Sequence, residues 1–219
     1  MNHESEAASN PDPTSGAQWL RGTSTSLKRT RQGFTLFLYG CILVCLAAFG
    51  VLYFEFSTEM LSVVIQVLPV TALMGNLIIL AGALLFFSVP HEVNSRGVLI
   101  GAAVGFFAKI IFSATVFCVP GFLGVPLALS LKLAGYLGLV LFALFLRKLL
   151  LYLNRPDQLW KVYGLLVTSV LFLLGSWCLE LMVDLGLITI ALIPIYSVML
   201  VGLFLYPCFV YSLKKVLSP

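Results

Sequence analysis

From Phe34 onward the sequence alternates long apolar runs with short polar breaks. Each run is about 20 residues, the length a helix needs to cross the hydrocarbon core of a bilayer. The pattern predicts six transmembrane helices, at about 34–54, 67–88, 98–118, 127–147, 163–183 and 187–210. Glu55, Thr58 and Glu59 interrupt the chain after the first run, and Pro90, His91, Glu92, Asn94 and Arg96 after the second. Pro120, Gly121, Gly124 and Pro126 follow the third, and Asp184 with Gly186 turns the fifth into the sixth. The second run starts at Leu61 and is longer than one span requires. Pro69 is expected to separate an interfacial stretch from the span proper, although a single tilted helix also accommodates the length. After the fourth span, Leu149 to Tyr152 extend the helix into the interface. Pro156 suits the first turn of the next helix, where its missing N–H costs nothing. Trp160 and Tyr163 then fall at headgroup level, as an aromatic belt does.

Residues 1–33 read differently. They are rich in Ser, Thr, Pro, Asn and Gly, and end in the basic residues Arg21, Lys28, Arg29 and Arg31. Such a stretch buries too little apolar surface to offset its conformational entropy, so a disordered basic-ended tail is expected, with Trp19 its one anchor candidate. It is too long for the n-region of a secretory signal, and the apolar run after it has no convincing small-x-small cleavage site. The organisation is therefore a tail (1–33), a transmembrane domain (34–212) and a short second tail (213–219).

Composition agrees with an all-α membrane protein. Charged residues are 10% of the chain and hydrophobic ones 60%, where a soluble domain carries about 25% charge to coat its surface. The distribution of Lys and Arg gives an orientation. Segments 1–33, 89–97, 148–162 and 211–219 hold ten of the 13, whereas 55–60, 119–126 and 184–186 hold none. The positive-inside rule then places both termini in the cytoplasm. A basic inner face attracts anionic lipid. Nucleic acid is not expected, because neither a basic stripe interleaved with aromatics nor a known module is present.

Catalytic signatures are absent: there is no HExxH, GxSxG, P-loop or GxGxxG, and the two histidines are His3 and His91. No enzyme activity, cofactor or metal is expected. Cys41 and Cys45 share a helical face, but no His or carboxylate lies near them in sequence to complete a metal site. With Cys118, Cys178 and Cys208 they read as small apolar filler. Pro69 and Pro194 have no counterparts in spans five and three, so no inverted three-plus-three repeat is visible.

The third span carries the most information. Gly97, Gly101, Gly105, Lys109 and Ser113 recur every four residues. Such a ridge lets another helix backbone approach closely. Four residues turn about 400°, so the ridge drifts by about 40° per step and suits a right-handed crossing. It serves packing within the bundle or a face between copies of the chain. Ser130, Ala134 and Gly138 repeat the device in span four. Lys109 stands near mid-membrane, where a charge costs about 2.5–3.5 kcal/mol on the insertion scale. Asn76 lies at similar depth in span two, Lys132 nearer the outer end of span four, and Glu180 at the outer end of span five. A Lys132–Glu180 ion pair and a bond from Lys109 to Asn76 or Glu180 are the expected arrangement. This cluster is either a structural clamp or a ligand or ion site.

Two stretches carry a resemblance. Gly82 to Gly97 ends a span in Ser88-Val89-Pro90-His91-Glu92, and Leu141 to Leu153 ends another in Phe145-Leu146-Arg147-Lys148-Leu149. Together they resemble uncharacterised six-span integral membrane proteins of bacteria. The resemblance implies a bacterial cytoplasmic membrane and brings no activity, ligand or site residue with it. Two roles stay open on sequence grounds. The first is a non-enzymatic assembly, scaffold or sensory subunit, with a homo-oligomer or a second protein as partner. The alternative is a small-solute or ion transporter or channel subunit that uses the intramembrane polar residues.

Overall fold

The computed structural model describes residues 16, 18–20, 24–56, 62–119, 124–184 and 188–216, with side chains left out at 51–56, 62–66, 125, 176, 179–184, 188–200 and 203. Among these residues the chain is helical with no strand. Six long helices follow in order: α1 (Thr25–Phe56), α2 (Ser62–Leu85), α3 (Arg96–Cys118), α4 (Val125–Tyr152), α5 (Leu159–Asp184) and α6 (Ile188–Val216). Segments of the first five are long and apolar enough to cross a membrane: Thr25–Gly50, Val67–Ser88, Arg96–Cys118, Pro126–Tyr152 and Pro156–Gly175. The protein is thus an α-helical, multi-pass membrane bundle.

The main correction to the sequence reading is at the start. α1 begins at Thr25, so residues 25–33 are ordered helix and not tail. The Ser24 side chain accepts from the Leu27 amide at 3.3 Å, in the manner of an N-cap. Thr30 donates to the Ser26 carbonyl at 2.9 Å and is fully buried beside buried Leu27. Part of the segment before α1 is placed too. The Trp19 indole N–H donates to Ser26 Oγ at 2.8 Å, and Trp19 and Leu20 pack on the core. Tertiary contact thus orders polar sequence whose composition alone reads as disordered. The rest of the expected tail, 1–15, 17 and 21–23, lies outside the described residues.

Pro69 does not divide the second run. It sits inside a continuous α2, since a membrane helix tolerates proline where neighbouring groups take up the freed backbone positions. α2 ends in a 3-10 turn, Phe86–Ser88, and a second turn, His91–Val93, leads to Asn94 in the left-handed region at φ 45°. Pro156 opens the 3-10 turn Pro156–Gln158 that runs directly into α5. α6 extends past the expected boundary to Val216 and carries Lys214 and Lys215 in its last turn, where cations complement the helix dipole.

Each helix packs on its neighbours in sequence, and α6 returns to α1, so the six close a ring. Aromatic rings fill its interior toward the N-terminal end of α1. Phe37 stacks on Phe142 with centroids 4.1 Å apart, Phe34 meets Phe86 edge-on at 4.8 Å, and Phe145 lies 5.4 Å from Phe86. All five side chains are at most 2% exposed. Each such pair adds about 0.5–1.5 kcal/mol beyond its buried area. The polar turn after α2 docks beside this plug: the Tyr152 hydroxyl donates to Glu92 at 2.8 Å, and the Lys148 ammonium to the Asn94 carbonyl at 2.8 Å. Residues 82–97 and 141–153 therefore pack on each other.

Candidate functional site

Lys109 is held in place by an absence. Its Cβ, Cγ and Cδ lie where a side chain on Gly135 would stand, at 2.8–3.2 Å from the position of that missing Cβ. One turn along the same interface the backbones of α3 and α4 touch. A Cβ on Gly105 would meet the Ala134 carbonyl and the Gly138 Cα at 2.6 Å. This is the close approach that the glycine ridge predicts, made within one chain. The ridge is graded, however. Gly101 faces only the movable end of Leu141, at 2.8 Å, and Gly97 has nothing within 4 Å. Gly97 therefore makes no packing contact of the expected kind, because the drift of about 40° per step leaves it on an exposed face. Ser130 is likewise turned outward, its hydroxyl donating to the Pro126 carbonyl at 2.7 Å.

From its seat on Gly135 the Lys109 ammonium reaches over the Tyr136 ring, 4.3 Å from its centroid. Tyr136 in turn stacks on Phe172 of α5 at 6.1 Å. A cation over an aromatic face gains about 0.5–2 kcal/mol, the upper end when water is excluded. The expected Lys109–Asn76 bond is replaced by another: Asn76, buried on α2, donates its amide N–H to Ser113 Oγ at 3.1 Å. Ser113 is the next member of the Lys109 ridge, so α2 and α3 are tied by a polar contact after all. The Glu180 side chain lies outside those described, and so do the pairs expected between it and Lys132 or Lys109.

Lys109 and Asn76 share a cavity of about 180 Å³ to which all six helices contribute. Its wall is mostly apolar, with Val44, Ile79, Phe106, Leu139 and Phe172 among its members. Phe106 also touches the aromatic plug, at 5.8 Å from Phe37. Sequence reasoning missed two polar features here. The first is Tyr206 of α6, 4% exposed and lining the cavity. Its hydroxyl makes no hydrogen bond of normal geometry among the described residues. It does interact with the Ser169 side chain, whose own proton goes to the Leu165 carbonyl at 2.8 Å. The second is the pair Cys41 and Cys45, dismissed as filler, both of which face the cavity. They line it together with Lys109 and Tyr206. The described residues contain no group of three or more His, Cys, Asp or Glu side chains that could hold a metal ion. Tyrosine and cysteine are commonplace in membrane helices, and nothing in their spacing marks these positions; a lysine in an apolar run stands out at once.

No family model, curated protein or solved structure matches this chain. The site's chemistry therefore has to be argued from its own residues.

Proposed function

We propose that the chain is a six-span protein of the bacterial cytoplasmic membrane, with both termini inside, that binds a small solute at mid-membrane as a transporter or channel subunit. One observation carries this reading over the assembly or sensory role. Every helix gives a side chain to a single cavity lined by Lys109, Asn76 and Tyr206. A charge within the membrane is costly and marks ligand or ion pathways more often than it serves packing. Solute sites at bundle centres, built from several helices at bilayer mid-depth, are the general pattern for transport proteins. Six spans and the inward termini are supported by the 29-residue α6 and by the Lys and Arg distribution. Anionic lipid at the basic face belongs to the same reading. No catalytic role is part of it.

The test is native mass spectrometry of the full chain, purified in lipid nanodiscs from the bacterial membrane. A stoichiometric small molecule supports solute binding. A stoichiometric second protein with an empty bundle supports assembly instead, and a chemically altered lipid supports catalysis; either result overturns the proposal.

A further inference from the structure

The identity of the solute follows from which polar groups face the cavity, on the reading that the cavity is a ligand site. Each of the groups at hand can donate. Lys109 carries an ammonium with three N–H groups and no acceptor. Lys132 lies within its electrostatic reach. Tyr206 is all but fully buried, lines the cavity and has its hydroxyl without a hydrogen bond of normal geometry. Asn76 presents an amide of which one N–H goes to Ser113. A buried polar group left unsatisfied costs about 1–3 kcal/mol, more when charged. Donors lining one otherwise apolar cavity therefore call for an acceptor-rich, negatively charged head.

The rest of the cavity sets the other half of the ligand. Val44, Ile79, Leu139 and Phe172 offer hydrocarbon and no donors, so a multiply charged anion such as phosphate would leave most of its oxygens dry. A cationic ligand would meet the Lys109 ammonium. A wholly neutral hydrocarbon would offer the ammonium no acceptor. Size narrows the class further. An apolar cavity of about 150 Å³ holds a benzene ring, and this one is about 180 Å³. We infer that the cavity takes a small apolar monocarboxylate, of one ring or a chain of about six carbons, with its carboxylate on Lys109 and Tyr206.

The experiment uses the full chain in zwitterionic nanodiscs and calorimetric titration with benzoate, hexanoate, benzyl alcohol, benzylamine and inorganic phosphate. Benzoate and hexanoate are expected to bind, and benzyl alcohol to bind at least ten-fold more weakly, as the loss of a charge-assisted hydrogen bond requires. Lys109→Met should weaken benzoate by roughly 10- to 100-fold and abolish its advantage over benzyl alcohol. Tyr206→Phe removes a single oxygen and keeps the ring, so the fold is retained even where Lys109→Met fails to assemble. It should weaken benzoate by about three- to ten-fold and leave benzyl alcohol unchanged within about two-fold. If benzylamine, phosphate or benzyl alcohol binds as well as benzoate, or Tyr206→Phe changes nothing, the monocarboxylate assignment is wrong while the cavity remains a ligand site. If no probe binds yet mass spectrometry finds a stoichiometric small molecule, the assignment is again wrong and the site stands. If no probe binds and no small molecule is retained, both readings fall.

Discussion

Lys109 sits between opposing energies, and their sizes decide what its replacement does. The charge costs about 2.5–3.5 kcal/mol at mid-membrane on the insertion scale, and its position over Tyr136 returns about 0.5–2 kcal/mol. Its carbon stem contributes separately by filling the space above Gly135. Lys109→Met keeps an unbranched stem on that glycine and removes both charge terms. The cost outweighs the return, so the unliganded protein should hold its stability or gain about 1 kcal/mol, read from thermal or denaturant unfolding in detergent. A loss of more than about 1 kcal/mol, in the range of interhelical polar contacts, would show that Lys109 is a clamp whose purpose is packing. Trp19 poses a simpler case at the edge of the bundle. Its indole gives one hydrogen bond to Ser26 and part of its surface to the core. Trp19→Phe keeps an aromatic ring and deletes that bond, so stability should fall by about 0.5–1.5 kcal/mol. An unchanged unfolding midpoint would mean that the segment before α1 contributes nothing to the fold.

At the scale of helices, the close approaches are made by glycines, and they rank themselves. Gly97→Ala adds a methyl to open space and replaces the poorer helix former, so it should be neutral or stabilise by up to about 1 kcal/mol. Gly101→Ala meets the tip of Leu141, which can rotate away at a cost of about 1 kcal/mol or less. Gly105→Ala drives a methyl into the backbone of α4, which cannot yield without parting the helices, so about 1–3 kcal/mol should be lost. Unfolding of the three variants side by side tests the order; equal effects would deny the α3–α4 contact described here. A second set of glycines escaped the sequence reading. Gly33 and Gly40 on α1 oppose Gly82 and Gly75 on α2, and a Cβ on any of the four would come within about 3 Å of the facing carbonyl. Their seven-residue spacing matches the period of a left-handed, coiled-coil-like seam, whereas the ridge legible in span three has a four-residue period. The helices themselves were legible because bilayer thickness fixes the length of an apolar run. The first nine residues of α1 were not, since Leu27 and Thr30 become core residues only through contacts distant in sequence. Lys109 and Asn76 were legible as polar exceptions in apolar surroundings. Tyr206, Tyr136 and the two cavity cysteines are ordinary membrane residues until packing turns them to a common centre.

For the whole molecule, the arrangement of plug and cavity makes orientation a functional matter. The aromatic plug lies toward the end of the bundle that carries Lys28, Arg29, Arg147, Lys148, Lys214 and Lys215, as the positions of Phe34 and Phe37 on α1 and Phe142 and Phe145 on α4 require. Beyond the plug on α1 come Cys41 and Cys45, and beyond it on α4, toward the other end, Tyr136. If the basic end faces the cytoplasm, the cavity is sealed from inside by stacked phenylalanines and access is from the opposite side or from the membrane. Single cysteines at Gly124, Asn94 and Asp157, all exposed positions, decide the matter once the five native cysteines are replaced. In intact cells the Gly124 cysteine should react with an impermeant thiol reagent, and those at Asn94 and Asp157 only after permeabilisation. Uniform reversal of the labelling would keep the bundle and invert the sidedness of the plug. Mixed labelling, with Asn94 and Asp157 on opposite sides, would break the alternation of spans and with it the six-span arrangement. Cys41 and Cys45 supply the last discriminating readout in the unmodified chain, because both face the cavity. A small membrane-permeant thiol reagent should label them more slowly when benzoate is bound, whereas exposed Cys118 should react at an unchanged rate. Equal rates with and without benzoate would place the ligand, if it binds at all, somewhere other than beside Lys109.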